Sequence, residues 1–332
     1  DFQIVKNAGW YTWDITDIVR KWYDGDNTGM MFKSPDSVEQ AGNEEWKQFC
    51  SSDFSTSTLP IMYMTYINNN GIESYWDYTS HSAGRAGTGS VNNYTGNLVW
   101  VHDDLGFAGN RMPVSISHVY NANDRHLNFF GLGYGWRTNY NQLVYYWSVD
   151  SSYMIWEDED GTKHYFKYES DGVYKDETDN GLTLTNTGSG ATKFCIQDKD
   201  GNKSYFDENC RLTKIENNQA TKSNITITYF DAASTPISTI TDGAGRVYNF
   251  QYSNGLLSKI AFNGTGSSEI SALTFSYSNN ELTGITYPDG KSVSYGYADS
   301  HLLNSASDIN GYTIQYGYNT LSTSQPNRIT SI

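Results

Sequence analysis

Cysteine, proline and positive charge are all scarce in this 332-residue chain. The three cysteines, Cys50, Cys195 and Cys210, are too few and too scattered for a disulfide framework or a structural zinc site. Cys195 and Cys210 are the one pair that adjacent strands could bring together. Lys and Arg number 22 against 37 Asp and Glu, a net charge of -15. That balance argues against a nucleic-acid partner or an anionic membrane, and a solvated acidic surface accounts for it. No apolar run approaches the ~20 residues of a membrane-spanning helix. The chain has no signal peptide and no Met at position 1, and it reads as a piece of something longer.

Catalytic signatures are missing as well. The six histidines, His81, His102, His118, His126, His164 and His301, include no pair at metal-ligand spacing and no H-E-x-x-H. There is no G-x-S-x-G elbow and no Cys-His signature. Acidic runs such as Asp103-Asp104 and Glu157-Asp158-Glu159-Asp160 are expected in so acidic a chain, and proximity in sequence cannot define a glycosidase pair. Residues 84–89 are glycine-rich but lack the ending of a phosphate loop and read as flexible and polar. Asp24-Gly25-Asp26-Asn27 lacks an EF-hand glutamate and reads as a turn. The expectation is a protein without enzymatic activity, cofactor or metal.

Tyrosine and glycine are abundant, at 27 and 30 residues, a composition suited to an all-β chain with many turns. The central pattern is a hairpin unit. Asp200-Gly201 supplies a tight turn, Tyr205 and Phe206 start one strand, and Leu212 and Ile215 carry the next. The unit returns at Asp242-Gly243, Asp289-Gly290 and Asn310-Gly311. A tyrosine ladder, Tyr205, Tyr229, Tyr252, Tyr277, Tyr297 and Tyr318, accompanies it at steps of 20 to 25 residues. A recurring step of this size marks an array of supersecondary units. Tyr-x-Tyr pairs place both rings on one face of a strand, so stacked hairpins would form an aromatic ladder or a shell lining. Gly131, Gly133, Gly135 and Trp136 form a Gly-x-Gly-x-Gly-Trp stretch suited to a bulge or close backbone approach, and read as the plug or corner that starts the array.

Three regions follow. Residues 1–67 hold one expected helix over 16–23, with Thr16 as N-cap and Ile18, Val19 and Trp22 on one face. Short strands are expected at 29–34, 46–52 and 60–66. Residues 68–112 read as a connector with a strand at 91–102 leading into the next domain. Residues 113–332 read as the hairpin array, opened by a strictly alternating strand over 113–121. The aromatics of the first region give a second functional reading. Trp10, Tyr11 and Tyr23 are candidate sugar-stacking rings, whereas Trp13 and Trp22 are expected inside.

The stretch Trp13 to Ser34, with Ser51-Ser52-Asp53 and residues 60–66 behind it, resembles the C-terminal part of a DNRLRE module. That resemblance implies part of a β-sandwich from bacterial secreted proteins, some of which bind carbohydrate. Residues 72–332 resemble the start of an Rhs or YD-repeat protein. The motifs that carry it are the leading Pro113-Val114-Ser115-Ile116-Ser117 with Tyr120-Asn121, the Gly133-Tyr134-Gly135-Trp136 core, and the repeated Asp-Gly, Tyr-x-Tyr and Gly-x-Leu units. The resemblance implies a secreted or wall-associated bacterial protein whose hairpins wind into a hollow β-shell around a C-terminal effector. The partners it implies are further repeats and that effector segment, with polysaccharide for the first region. This chain holds only about six repeats, fewer than a closed shell takes, and lacks the family's Asp-Pro-x-Gly self-cleavage motif. An open, curved segment of wall is therefore expected, with structural roles for Gly201, Gly243, Gly290, Gly311 and the ladder tyrosines.

Overall fold

The computed structural model describes residues 7–23, 29–33, 48–51, 53, 59–62, 71–177, 181–219, 221, 223–231, 234–319 and 328–332. The chain divides into two units, residues 1–66 and 67–332.

In the first unit, α1 spans Thr16–Tyr23, as the apolar spacing predicts. The cap differs from expectation. Asp14 Oδ1 accepts from both the Thr16 amide (3.0 Å) and the Thr16 hydroxyl (2.6 Å), so the capping acceptor stands two residues earlier. A small aromatic cluster joins Trp13 to Phe32 (4.8 Å) and Phe49 (6.1 Å). The described parts of the three expected strands, residues 29–33, 48–51 and 60–62, carry no strand. Their remaining residues, and the turn at 24–28, lie outside the described residues.

The second unit is all-β and has two layers. An inner antiparallel sheet contains β1 (Tyr78–Ser82), β2 (Thr88–Asn92), β3 (Leu98–Gly106), β4 (Ser115–Asn121) and β5 (Trp136–Thr138), in that order. The connector expected at 68–112 thus supplies three of its strands. The glycine-rich 84–89 is no loose loop either. Gly84–Ala86 is a 3₁₀ turn with Ala86 fully buried, and the Trp100 indole donates to the Ala86 carbonyl at 2.9 Å. A Cβ on Gly87 would stand 2.3 Å from the Val101 carbonyl oxygen, so the glycines here permit close packing. The alternation expected over 113–121 holds only at the start of β4, because its second half is buried on both faces.

The outer layer is a ladder of consecutive antiparallel strands. It starts with β6 (Leu143–Tyr146), β7 (Tyr153–Glu157), β8 (Lys163–Ser170), β9 (Val173–Asp176) and β10 (Thr183–Asn186). It continues through β11 (Phe194–Gln197), β12 (Lys203–Phe206), β13 (Leu212–Glu216), β14 (Asn224–Tyr229), β15 (Ile237–Thr241) and β16 (Val247–Ser253). It ends with β17 (Leu256–Gly264), β18 (Ser271–Ser278), β19 (Glu281–Thr286), β20 (Ser292–Ala298), β21 (Leu302–Ser307) and β22 (Thr313–Gln315). A separate pair, β23 (Gly317–Tyr318) and β24 (Ile329–Ser331), follows. The ribbon meets itself where Leu143 bridges Arg211, with the Val144 amide 2.9 Å from the Cys210 carbonyl. Among the described residues no rung joins β22 to β6, so the array is open.

Two turn chemistries alternate along the ladder. One side uses a five-residue loop in which the first residue's amide donates to the carbonyl four residues on. Asp158 with Thr162, Asp198 with Asn202, Asp242 with Arg246 and Asp308 with Tyr312 all follow this rule, at 2.9 to 3.1 Å. Its fourth residue adopts positive φ, at Gly161, Gly201 and Gly311, and Gly290 holds the same place in the Tyr287–Lys291 turn, closed at 2.8 Å. In the Asp242 turn that place belongs to Gly245 (φ 83), not to the expected Gly243. Gly243 is instead a close-approach glycine, since a Cβ there would lie 2.4 Å from the Arg111 carbonyl oxygen. The other side uses two-residue loops with both φ values positive, at Asn254-Gly255, Asn279-Asn280 and Ser300-His301.

A β-bulge recurs once per repeat, before Phe206, Tyr229, Tyr252, Tyr277, Tyr297 and Tyr318. Register therefore corrects the ladder's first member. Tyr205 is only half-buried and its ring packs against the Lys214 ammonium (4.1 Å), while fully buried Phe206 holds the equivalent position. The ladder rings do not stack on one another as expected. Equivalent positions are two strands, or ~9.5 Å, apart. Three of the bulges instead aim a hydroxyl at the previous repeat's backbone: Tyr229 to the Leu212 carbonyl (2.8 Å), Tyr297 to Leu282 (2.8 Å) and Tyr318 to Leu303 (2.7 Å).

Candidate functional site

The inner sheet is held along one face of the ladder, and the side chains that hold it define the candidate site. Trp100, Tyr120 and Trp136 are all within 2 % of full burial. Burying one large aromatic contributes a few kcal/mol, so these three anchors dominate the attachment. Trp100 meets Tyr316 edge-on at 6.1 Å, and Trp136 packs on Tyr295 at 5.2 Å while its indole donates to the Tyr297 hydroxyl at 2.7 Å. Tyr120 donates to the His301 carbonyl (2.8 Å) and accepts from the Leu303 amide (3.1 Å). Phe107 stacks on Phe262 at 4.1 Å.

Between β4 and β5 the chain runs past successive hairpin tips and fastens each one. The Phe129 carbonyl accepts from the Thr235 hydroxyl. The Gly131 carbonyl accepts from the Leu257 amide at 2.7 Å, and the Tyr134 amide donates to the Asn280 carbonyl at 3.0 Å. The Tyr134 ring then stacks on His301 at 3.8 Å. Gly131, Gly133 and Gly135 all have positive φ, at 75°, 87° and 76°. A Cβ at Gly133 would come within 2.9 Å of the Asn280 carbonyl oxygen, and one at Gly135 within 2.7 Å of the Tyr120 ring. These glycines let the backbone lie directly on the tips. The Gly-x-Gly-x-Gly-Trp stretch is thus a clasp that sets the spacing of neighbouring repeats, with Leu132 and Phe130 buried between its contacts.

Two buried polar clusters flank the clasp. Arg137 on β5 pairs with Asp124 (2.8 Å) and Glu157 (2.7 Å), tying the inner sheet to β7. Burial pushes the Asp124 carboxyl up to about 6, against the opposing pull of Arg137. On the other side Asp104 bridges His102 and His118, and His102 reaches Tyr287 on the ladder. Burial alone would raise Asp104; the two imidazoles beside it and their hydrogen bonds outweigh it and hold the carboxyl below its usual range. Nothing local in the sequence marks His118 as the partner of Asp104, 14 residues away. Arg211 and Arg246 were also missed. Each pairs with the Asp four residues before it, and Arg246 reaches the carbonyls of Phe107 and Ala108 at 3.1 Å.

Among the described residues no group of three or more His, Cys, Asp or Glu is placed to hold a metal ion, and no helix is long and apolar enough to cross a membrane. Cys195 and Cys210 are free thiols, both raised by burial. Of the sugar-stacking candidates, Trp10 is 67 % exposed. Tyr11 is half-buried, with its hydroxyl donating to the Asn7 carbonyl at 2.9 Å. The Tyr23 side chain lies outside the described residues. Trp13 and Trp22, expected inside, are half-buried.

The geometry defines a class before any relative is considered: a hairpin-repeat array started by an inner sheet that clasps it. Residues 88–166, from β2 through β8, match the model of DUF6531, a domain of unknown function. Over 138 residues, 42 % of the chain, the sequence is 32 % identical to the tRNA nuclease WapA of Bacillus subtilis. The same figures hold for the tRNA3(Ser)-specific nuclease WapA of Bacillus spizizenii and the tRNA(Glu)-specific nuclease WapA of Bacillus subtilis subsp. natto. The matched segment spans 5 % of the length of each of these relatives.

Proposed function

We propose that this chain is a scaffold segment of a secreted or wall-associated bacterial protein of the Rhs/YD-repeat type. Residues 71–332 form the first portion of a β-hairpin shell, and the matched DUF6531 region starts it. The observation that carries this reading is the clasp. One stretch, 129–134, engages Thr235, Leu257, Asn280 and His301, which belong to successive repeats. Such an element fixes curvature and spacing, and a binding cleft does not need it. The relatives' names supply nuclease activity. In this reading that activity belongs to an effector segment elsewhere in such a protein, and the hairpins enclose or present it. Edge-to-edge pairing is the mechanism, because each strand's backbone groups are satisfied by the next hairpin.

Two measurements test this. The purified chain incubated with tRNA is expected to leave it intact, and cleavage that survives repurification would refute the scaffold assignment. An open last edge is also expected to cause concentration-dependent association in sedimentation velocity. A strict monomer up to high micromolar concentration counts against it.

Exposed Trp10 favours a second reading, glycan attachment by the first unit. A polysaccharide panel decides it. Saturable binding lost in Trp10→Ala supports attachment, and no binding at millimolar ligand removes it.

A further inference from the structure

The Tyr287 hydroxyl has two partners and only one proton. It is 2.5 Å from His102 Nε2 and 3.1 Å from the Arg85 carbonyl oxygen. A carbonyl only accepts, so the phenol proton must point to Arg85 for that bond to exist. Tyr287 can then meet His102 only as an acceptor, which requires a proton on His102 Nε2. On the other side of the ring, His102 Nδ1 lies 2.8 Å from Asp104 Oδ1, and a bare nitrogen there would set a lone pair against a carboxylate. Both ring nitrogens therefore carry protons. The neutral form with its proton on Nδ1 would turn the phenol toward Nε2 and release the Arg85 carbonyl.

We infer that His102 is held as an imidazolium in the folded protein, and that its second proton latches the 84–87 turn of the inner sheet to the β19–β20 hairpin through Tyr287. The side chains of His102 and Asp104 have no exposure, so this charge pair is shielded from solvent and salt. His118 is the neutral member. Its Nδ1 donates to Asp104 Oδ2, while its Nε2 is buried without a partner among the described residues, beside Phe275 (4.9 Å) and Trp136 (6.2 Å). A second proton on His118 would bury an unsatisfied donor.

The other titratable and charged groups facing the latch are Tyr295 on β20, Tyr277 on β18, and Arg85 with Asp289. The Arg85 guanidinium lies 3.4 Å from the Tyr287 ring centroid and repels His102, but Asp289 at 3.1 Å offsets it. On opening, the His102 proton passes to solvent and the Tyr287 proton swings from the Arg85 carbonyl to Nε2.

Long-range proton–nitrogen spectra of histidine-labelled protein test the inference. At pH about 7.5, a free imidazole is about nine-tenths neutral. Expected there are two protonated ring nitrogens on His102 and one on His118, assigned with His102→Gln. A bare-nitrogen signal from His102 at that pH overturns the proposal. If His102→Gln fails to fold, Tyr287→Phe supplies the assignment, because the Nε2 resonance of His102, which loses its acceptor, is the one expected to move. An unmoved His102 resonance in that variant would also overturn the proposal. Hydrogen exchange reads the mechanical half: the amides of Ala86 and Gly87 should lose protection as His102 deprotonates, ahead of β3 and β4. Exchange of the turn in step with those strands would mean that no latch operates.

Discussion

Gly133→Ala isolates the energetic role of the clasp. Two costs fall on that position. A Cβ-bearing residue held at φ 87° gives up about 1–2 kcal/mol to left-handed strain. The new Cβ would also stand 2.9 Å from the Asn280 carbonyl oxygen and 3.3 Å from the Tyr277 ring. Relieving that contact moves the backbone away from the tip and lengthens the 3.0 Å bond between the Tyr134 amide and Asn280, worth about 1 kcal/mol. The expected total is about 2–3 kcal/mol. Gly311→Ala is the matched control. Its φ is 84°, nearly the same, but nothing lies within 4 Å of its added Cβ, so only the strain of about 1–2 kcal/mol applies. Urea unfolding followed by tryptophan fluorescence suits the comparison, since Trp100 and Trp136 are buried where the inner sheet meets the ladder. Equal losses in the two variants would refute the claim that the clasp bears on the hairpin tips, and would reduce Gly133 to a conformational requirement.

Other substitutions probe the remaining contacts. Tyr297→Phe removes an acceptor for Trp136 and a donor to Leu282, and should cost about 2–4 kcal/mol in the same assay. Tyr277→Phe should change stability by less than about 1 kcal/mol, because the Tyr277 hydroxyl is buried without a partner among the described residues. Arg211→Met leaves the buried Asp207 carboxylate without its cation, and an apparent loss of about 3–5 kcal/mol is expected. Asp124 sets a pH dependence. Its folded value near 6 lies above the ordinary ~3.9, so the folded state binds the extra proton, and this group's contribution is present below ~4 and lost as pH rises through about 6. Asp124→Asn should flatten that part of the stability profile measured by urea titration, and an unchanged profile would remove Asp124 as its source.

Sequence and structure agree where a local rule decides the conformation. Asp200-Gly201 and Asn310-Gly311 are turns because glycine meets positive φ at low cost, and both glycines have it. The 16–23 helix follows from apolar spacing alone. Phase is different in kind. In Asp242-Gly243-Ala244-Gly245 two glycines compete for one position, and the decision falls to the Arg111 carbonyl packed on Gly243. The ladder's first rung belongs to Phe206 because the bulge stands between Tyr205 and Phe206, and a bulge leaves no fixed mark in composition.

The inner sheet shows why residues 68–112 read as a connector. A strand with one wet face alternates, but β3 and most of β4 are covered on both faces and lose the period that identifies a half-buried strand. Their polar members, His102, Asp104, His118 and Asn121, would each be costly to bury alone. They become tolerable only through partners remote in sequence: Tyr287 for His102, and the Asp160 carbonyl for Asn121. Such a segment looks like a polar loop until the ladder is wrapped around it. The same dependence makes the inner sheet and ladder cooperative, since each satisfies buried groups the other cannot. The long-range bonds of Gly131 and Tyr134 then decide where each repeat stops, which the hairpins' own turns leave open.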